Sequence, residues 1–304
     1  MYTMCNRKNW RFIEMKIKAM AKINLSLDVL RKREDGYHEL RMIMQTINLY
    51  DELTIEKTEK KDIKIVCNQK WLPCDEHNLI YKAAKLLYDA YDIDMGVSIN
   101  LKKNIPVAAG MAGGSSDAAA TLVGMNALFG LGLTTEELQK IGVKIGADVP
   151  YCIEGGTVLS EGIGEVLTPL KKSPNSYVVV AKPGISVSTK YVYENLHANT
   201  LKYHPDVDGM IQAIENEDIN AVADKMGNVL ETVTVQKYPM LEEMKKSLIK
   251  NGALGALMSG SGPTVFGLFT DEKVAQNAFE QLKKSGMVKQ GCVTTMTEKN
   301  CVMD

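Results

Sequence analysis

The chain has 304 residues, of which 45% are hydrophobic and 24% are charged, as in a typical folded globular protein. Thirty-six lysine and arginine residues face 37 aspartate and glutamate residues, and the formal net charge of -1 excludes a global attraction to nucleic acid or an anionic membrane. The six cysteines form no C-x-x-C pair, which excludes a zinc ribbon; without a secretory leader or an apolar run of ~20 residues, we expect a cytoplasmic protein.

The first half of the chain alternates strand and helix patterns after an extension, residues 1–14, that we expect to be flexible. Apolar residues alternate through "MKIKAMAKINLSLDVLR", which predicts a strand from Met15. The stretch "DELTIEKTEKKDIKIVCN" is typical of a hairpin with a charged tip. Helical spacing in "NLIYKAAKLLYDAYDI" predicts a helix, and "MGVSINLKKNIP" predicts a strand that ends at a proline.

The second half predicts an open antiparallel sheet covered by helices. Before it, Thr134 and Glu137 match a capping box that opens a helix, and "GGTVLSEGIGEVLTPL" indicates a glycine-rich hairpin. After the linker-like "KKSPNS" come a buried strand "YVVVAKP", helical patterns, the turn "MSGSGPT", the strand "VFGLF", a helix and a last strand near "CVTTMT". We therefore divide the chain into domains at 15–172 and 173–304.

A loop of small residues, "IPVAAGMAGGSSDAAATL", leads into an alanine-rich helix pattern. Gly110, Gly113 and Gly114 allow a close backbone approach, and successive amide groups at a helix N-terminus form an anion-binding concavity. Ser115 and Ser116 add hydroxyl donors. The loop lacks the lysine of a Walker A motif and the G-x-G-x-x-G of a dinucleotide fold. On its own it fits a phosphate site and a tight strand-to-helix turn equally well.

Three stretches together favour the phosphate site. The loop from Pro106 to Ser116 resembles the phosphate loop of the kinase superfamily named for galactokinase and the homoserine, mevalonate and phosphomevalonate kinases (GHMP). The stretches "AKINLSLDV" and "SGSGPTVFGLF" resemble that superfamily's N-terminal strand and C-terminal glycine-rich motifs, in the same order along the chain. The resemblance implies an α+β fold with two domains, an N-terminal α/β nucleotide domain and a C-terminal ferredoxin-like sandwich.

The resemblance also implies which loop residues bind ATP. These are Pro106, Val107, Ala108, Ala109, Gly110, Met111, Ala112, Gly113, Gly114, Ser115 and Ser116. Magnesium is implied because ATP arrives as its magnesium complex, with Ser116 as the candidate protein ligand. Where the superfamily commonly has G-L-G, this chain has Gly110-Met111-Ala112. Because alanine tolerates a positive φ poorly, we expect Ala112 at an ordinary backbone angle.

Two further stretches narrow the resemblance to one branch of the superfamily. "DGYHEL" and "GADVPYC" are similar to the branch that transfers the γ-phosphoryl group of ATP to the 2-hydroxyl of 4-diphosphocytidyl-2-C-methyl-D-erythritol, in the non-mevalonate route to isoprenoids. The resemblance makes Asp148 the general base or a group that positions the hydroxyl. It makes Lys22 the ammonium beside Asp148, which keeps the carboxylate ionised and stabilises the developing alkoxide.

The same resemblance implies five residues that bind the acceptor. Asn24, on the same strand face as Lys22, would hydrogen-bond the erythritol hydroxyls. His38 would read the cytosine edge, and Tyr37 would shape the nucleoside pocket. Thr189 and Tyr193 would present a hydroxyl and an aromatic ring to the cytidine, although Tyr193 also fits a helix aromatic packed in the core. Ser261 in "SGSGPT" is a further contact candidate, and Asp28 has no assigned role.

The resulting prediction is an ATP-dependent enzyme with a small-molecule substrate, a monomer or homodimer that binds neither nucleic acid nor membranes. Two alternatives remain. The first is another GHMP kinase, for mevalonate or homoserine, but neither acceptor carries a cytidine for His38. The second is a non-catalytic nucleotide-binding protein on the same scaffold, which would have no reason to keep both Lys22 and Asp148.

Overall fold

The computed structural model describes residues 14–298 and 300–303, which form two β-sheets and the helices that cover them. Both sheets and the helices are present as expected, and the α+β prediction is confirmed. The predicted extension lies outside the described residues, apart from Glu14.

The strands in the described residues are β1 (Glu14–Lys32), β2 (His38–Thr58), β3 (Ile63–Cys67), β4 (Gly96–Lys102), β5 (Thr157–Gly162), β6 (Val166–Pro169), β7 (Tyr177–Lys182), β8 (Gly227–Asn228), β9 (Gly255–Met258), β10 (Val265–Phe269), β11 (Gln290–Thr295) and β12 (Val302–Met303). The helices are α1 (Leu79–Ala90), α2 (Gly113–Phe129), α3 (Thr135–Gly142), α4 (Val149–Glu154), α5 (Thr189–Glu194), α6 (Val207–Glu215), α7 (Ile219–Asp224), α8 (Glu231–Lys237), α9 (Met240–Lys250) and α10 (Glu272–Lys284), with a 3-10 turn at Ala198–Thr200.

The first sheet is built on the long antiparallel pair β1 and β2. Its main order is β12-β1-β2-β4-β3; β5 pairs with the first half of β2 and with β6, and β8 pairs with β1. Helix α2 packs against α1, β1 and β2. The contact is close at Gly124, where a Cβ atom would lie 2.3 Å from Cδ1 of Ile17. A small residue in α2 thus brings the helix that follows the phosphate loop down onto the central strands.

Irregularities in β1 decide which of its side chains face the cavity described below. The register with β2 shifts between Asn24 and Ser26 and again between Val29 and Arg31, so β1 carries an extra residue at each place. A β-bulge of one residue turns the following side chains to the other face. The first bulge therefore removes Asp28 from the face of Lys22 and Asn24. Both carboxylate oxygens of Asp28 instead contact Nδ1 of His204, at 2.8 and 2.9 Å.

The second sheet has the order β11-β7-β10-β9, and every neighbouring pair is antiparallel. This confirms the open antiparallel sheet predicted for the second half. Its helices α9 and α10 cover one face. On the other, Val178, Val180 and Phe266 share a buried cluster with Ile23 and Leu25 of β1. The two sheets are therefore joined by a common apolar core.

The predicted hairpin in "DELTIEKTEKKDIKIVCN" is wrong. The two halves are strands, but β4 lies between them: β2 pairs with β4 antiparallel, and β3 pairs with β4 in parallel. Strand periodicity indicates which face is buried and carries no information about the partner, and α1 supplies the crossover that a parallel pair requires. The capping box is confirmed: Thr134 Oγ1 accepts from the Glu137 amide, and the Glu137 carboxylate accepts from the Thr134 amide.

The chain returns to the first sheet after β11. Met296 forms a bridge with Ile47, the Thr297 amide donates to the Thr46 carbonyl at 3.0 Å, and β12 pairs with β1. Short β8 also pairs with β1 in the middle of the second half. The division at 172/173 stays a prediction, because segments on both sides of it contribute to the first sheet.

A buried ion cluster fixes both ends of the small-residue loop. Lys103, directly after β4, contacts Asp51 of β2 and lies 2.7 Å from Oδ2 of Asp117 in the first turns of α2. Oδ1 of Asp51 also accepts from the amides of Asn104 and Ile105. Burial alone would lower the pKa of Lys103, but the two carboxylates outweigh it and raise that pKa above its ordinary value.

Replacing Lys103 would leave two carboxylates buried without their cation. We expect Lys103→Met to lower the free energy of unfolding by about 3–5 kcal/mol, the usual cost of removing one partner of a buried ion pair. Urea denaturation followed by circular dichroism measures the change. The control is Lys102→Met, which removes the adjacent lysine from its exposed pair with Glu52 and should leave the midpoint unchanged. Similar midpoints for both variants would contradict the anchoring role of the cluster.

Candidate active site

One cavity of about 880 Å³ lies between the small-residue loop, the pocket face of β1 and β2, and α5 of the second half. All the candidate site residues named from the sequence line it except Ser116. Residues that the sequence did not suggest also line it, notably Lys32, Lys103, Asp117, Lys190 and Glu194. The cavity therefore brings together stretches that lie far apart in the chain.

The loop holds its shape through three residues with positive φ. Ala108 has φ 51°, Gly110 has φ 73° and Ala112 has φ 57°. The expectation of an ordinary angle at Ala112 is wrong. The Met111 carbonyl accepts from the Lys22 amide at 3.3 Å, and the Ala112 carbonyl accepts the first hydrogen bond of α2, so the chain must reverse direction at Ala112. A left-handed non-glycine residue costs about 1–2 kcal/mol, a strain typical of functional loops.

Helix α2 points its N-terminus at the cavity. Gly113, Gly114 and Ser115 line the cavity and supply its first amide groups. At Gly113 a Cβ atom would lie 2.9 Å from Nζ of Lys103, so the glycine lets the helix start sit directly on the ion cluster. Seventeen residues of helix add their dipole to this end. The arrangement fits an anion held by backbone amides.

The two serines of the loop have different surroundings. Ser116 is buried and donates to the Met20 carbonyl at 2.7 Å, so its hydroxyl faces the sheet. The expectation that Ser116 contacts phosphate or magnesium therefore needs correction. Ser115 and Ser116 are neighbours at the start of α2, and their side chains point in directions about 100° apart around the helix axis. Ser115 is the serine that lines the cavity.

Lys22, Asn24 and Asp148 form a small polar group on one wall. Nζ of Lys22 donates to Oδ1 of Asn24 at 2.8 Å and lies 3.9 Å from Oδ2 of Asp148. The Lys22 side chain is 6% exposed, whereas that of Asp148 is 34% exposed. Asp148 occupies the N-cap of α4 without a side-chain capping hydrogen bond, so its carboxylate remains available to a ligand. A buried cation thus faces an accessible carboxylate.

An aromatic pair lies on the wall where β1 ends and β2 begins. The His38 and Tyr193 rings have centroids 5.0 Å apart and are tilted by 37°. Burial, with the positive charge of Lys32 as a smaller cause, lowers the pKa of His38. Burial also raises the pKa of the Tyr193 phenol. Both side chains are therefore neutral near pH 7. Tyr193 is half-buried, so it packs on the core and still lines the cavity. Tyr37 is 60% exposed at the same mouth.

A wall formed by residues 259–264 connects the loop to α5. Ser259 Oγ donates to the Gly110 carbonyl at 2.9 Å, and the Ser261 hydroxyl lies 2.8 Å from that of Thr189. Sequence reasoning missed the residue that holds this wall: Nδ2 of Asn228 donates to the carbonyls of Met258 and Gly260, each at 2.8 Å. Asn228 lies in the two-residue strand β8, which is too short to produce a sequence pattern.

The described residues were also compared with the requirements of a metal site and of a membrane-spanning helix. Within residues 14–298 and 300–303, Asp75, Glu76 and His77 are the one group of potential ligands whose atoms cluster, and all three are exposed. Among the described helices, none is long and apolar enough to span a bilayer.

Two family models match the chain. The model of the GHMP kinases N terminal domain matches residues 78–156, which include the loop, and the model of the GHMP kinases C terminal matches residues 210–287. Among curated proteins, the 4-diphosphocytidyl-2-C-methyl-D-erythritol kinase of Clostridium perfringens is 58% identical over 88% of this chain and 93% of its own length. The protein of the same name from Lachnoclostridium phytofermentans is 54% identical over 94% and 98%.

Solved structures match over nearly the whole fold. A crystal structure of 4-(cytidine 5'-diphospho)-2C-methyl-D-erythritol kinase superposes with a TM-score of 0.81 at 33% identity, covering 94% of this chain and 100% of that one. Homoserine kinase from Cytophaga hutchinsonii, at 22% identity and a TM-score of 0.77, covers 100% of both chains and shares the fold. The chain therefore belongs to the GHMP kinase family, in its 4-diphosphocytidyl-2-C-methyl-D-erythritol kinase branch.

Proposed function

We propose that the protein is an ATP-dependent kinase that phosphorylates the 2-hydroxyl of 4-diphosphocytidyl-2-C-methyl-D-erythritol, a step of the non-mevalonate route to isoprenoid precursors. The observation that carries the proposal is one cavity with three kinds of wall: an amide-lined loop, an ammonium–carboxylate pair, and the His38–Tyr193 pair. Relatives of that name, more than half identical over nearly their whole length, support the same activity.

The loop binds the phosphates of ATP in this proposal. Residues 107–115 offer backbone amides and mostly small side chains, and the start of α2 adds partial positive charge. Phosphoryl transfer needs chiefly positioning and charge stabilisation, which a rigid loop supplies. The ion cluster beneath the loop keeps those amides in place before ATP arrives.

Asp148 and Lys22 act on the acceptor hydroxyl. The exposed carboxylate of Asp148 accepts the hydroxyl proton or orients the hydroxyl towards the γ-phosphorus. The Lys22 ammonium, 3.9 Å from Oδ2 of Asp148, stabilises negative charge on the attacking oxygen. Asn24 Oδ1 accepts from the Lys22 ammonium at 2.8 Å and holds it in place, and Asn24 Nδ2 donates to Sδ of Met42 at 3.3 Å. The contact of Asn24 with the acceptor hydroxyls stays a prediction.

The cytidine binds at the other end of the cavity. Neutral His38 has one ring nitrogen that donates and one that accepts, which suits the polar edge of cytosine. Tyr193 offers a ring face beside it, and base–aromatic stacking contributes about 1–3 kcal/mol per base. Thr189 presents a hydroxyl on the same helix, and Tyr37 covers the mouth. Mevalonate and homoserine would leave this whole end of the cavity empty.

Magnesium enters the proposal with ATP. Among the described cavity residues, the carboxylates Asp117, Asp148 and Glu194 each already face a lysine, and the walls hold no free carboxylate cluster. The donor set therefore fits an ion held mainly by the nucleotide phosphates and water, as is common for magnesium. Bound there, it would neutralise phosphate charge.

The location and the oligomeric state of the protein stay predictions: we expect a cytoplasmic monomer or homodimer.

Turnover assays with three different acceptors test the proposed cytidine site. We expect ADP release from purified protein and MgATP with 4-diphosphocytidyl-2-C-methyl-D-erythritol, and none above background with mevalonate or homoserine. A coupled ADP assay with the three acceptors in parallel measures it. Turnover of mevalonate or homoserine would contradict the cytidine site, and ATP binding without turnover of any acceptor would favour a non-catalytic protein.

The catalytic pair is tested by Asp148→Asn. Removing a group that accepts a proton lowers kcat by about 10²–10⁴-fold, and we expect a loss in that range with the dissociation constant of ATP unchanged. The matched control is Asp271→Asn, because Asp271 is also an N-cap aspartate, at the start of the remote helix α10. Asp148→Asn with wild-type kcat would contradict the assignment.

The contact between the loop and the wall is tested at Gly110. An added Cβ atom would lie 2.1 Å from the Ser259 carbonyl oxygen, so Gly110→Ala must separate loop and wall. We expect kcat/KM for ATP to fall at least about 10-fold, because misplacement of ~1 Å has effects of this size or larger. Gly130→Ala has a similar strain, φ 64°, and meets nothing within 4 Å. It should keep full activity; an equal loss in both variants would show that backbone strain alone is responsible.

A further inference from the structure

The proposed acceptor carries charge between its two recognised ends. Its diphosphate bridge has two ionised oxygens at neutral pH, and it lies between the cytidine and the polyol. Four lysines line the cavity: Lys22, Lys32, Lys103 and Lys190. A charge carried into a partly enclosed cavity is best stabilised by a cation that is not already neutralised.

Three of these lysines already face carboxylates. Lys22 lies 3.9 Å from Asp148, Lys103 lies between two aspartates, and Lys190 lies 3.8 Å from Glu194 one turn further along α5. Lys32 has no carboxylate within 4.0 Å in the part of the chain that the structure describes. It is exposed, so its flexible stem is free to move its ammonium.

The register of the first two strands places Lys32 at the cytidine end. Lys32 is the direct partner of His38 across the β1–β2 ladder. On β2, His38, Leu40 and Met42 alternate on the cavity face. Their partners on β1 keep to this face only because of the bulges, which bring first Leu27 and then Lys32 to the cavity. The irregularity that turns Asp28 away is part of the geometry that brings Lys32 in.

Lys32 is close enough to act electrostatically inside the cavity. Its charge is the second cause, after burial, of the lowered pKa of His38. The α-phosphate of a cytidine nucleotide is separated from its base by one ribose. A base held at His38 therefore places its phosphates within reach of a lysine on the neighbouring strand position.

We infer that Lys32 binds the diphosphate of the cytidine diphosphate-linked acceptor and so distinguishes phosphorylated from unphosphorylated cytidine ligands. This inference rests on the proposed function and adds the residue that reads the charge of the acceptor. Lys32 has no part in the phosphoryl transfer itself.

The test compares two ligands that share the base and differ in charge. Binding of CDP and of cytidine to the full-length protein is measured by isothermal titration calorimetry, for wild type and Lys32→Gln. We expect CDP to bind about 5–10-fold more weakly to the variant, in the range of one ordinary net hydrogen bond, and cytidine affinity to change less than about 2-fold. In turnover assays the KM for the acceptor should rise while kcat and the KM for ATP stay unchanged.

Lys190→Gln is the matched control, since this lysine lines the same cavity and is paired with Glu194. It should leave the preference for CDP over cytidine intact. Raising the ionic strength should weaken CDP binding to wild type more than to Lys32→Gln, because the variant lacks the exposed charge.

Two results would overturn the inference. An equal loss of CDP and cytidine in Lys32→Gln would show that Lys32 acts through His38 and the base, and no loss of either would show that it is a bystander. Failure of the proposed function gives a different result: the wild-type protein would bind neither ligand.

Discussion

The rest of the site depends on one interaction, the contact of the buried Lys103 ammonium with the carboxylates of Asp51 and Asp117. It joins β2, the end of β4 and the start of α2, and Asp51 extends the connection to the backbone of Asn104 and Ile105. The loop between these anchors can therefore consist of small residues, with its amides free for a ligand. Burying three charged groups is costly, and they are retained only where their mutual geometry offsets their desolvation.

Both sheets contribute residues to the cavity. Lys22, Asn24, His38 and the loop belong to the first sheet and its connections, whereas Thr189, Tyr193 and the wall at 259–264 follow strands of the second. Contacts cross the division at Ser259–Gly110 and at His38–Tyr193. Each end of the cavity is thus completed only when both halves of the chain have packed together.

Short motifs whose residue types indicate their chemistry could be predicted from the sequence. The pairing of strands could not, nor could backbone angles that tertiary contacts impose against a residue's own preference. Lys22, Asp148 and the loop lie in short stretches whose residue types suffice to suggest their positions. The strand partner of β3 was missed because the alternation of apolar residues does not encode which strands pair. The positive φ of Ala112 was missed because hydrogen bonds on either side of it outweigh alanine's preference for a negative φ. Lys103 gave no signal: it follows Lys102, which has the same residue type and a solvent-exposed partner. The position of Lys32 in the cavity wall depends on two β-bulges in β1, which no sequence pattern reveals.

The path of the chain limits how the cavity can open. Within the described residues the backbone passes between the two sheets four times: before β7, on either side of β8, and before β12. Four crossings and a common apolar core couple the two sheets and oppose a swinging motion of two lobes about a single hinge. Ligand entry then falls to the mouth itself, where Tyr37 is exposed. We therefore expect admission and release to need movements of side chains and of the short turn between β1 and β2, with little change in the molecule's overall dimensions.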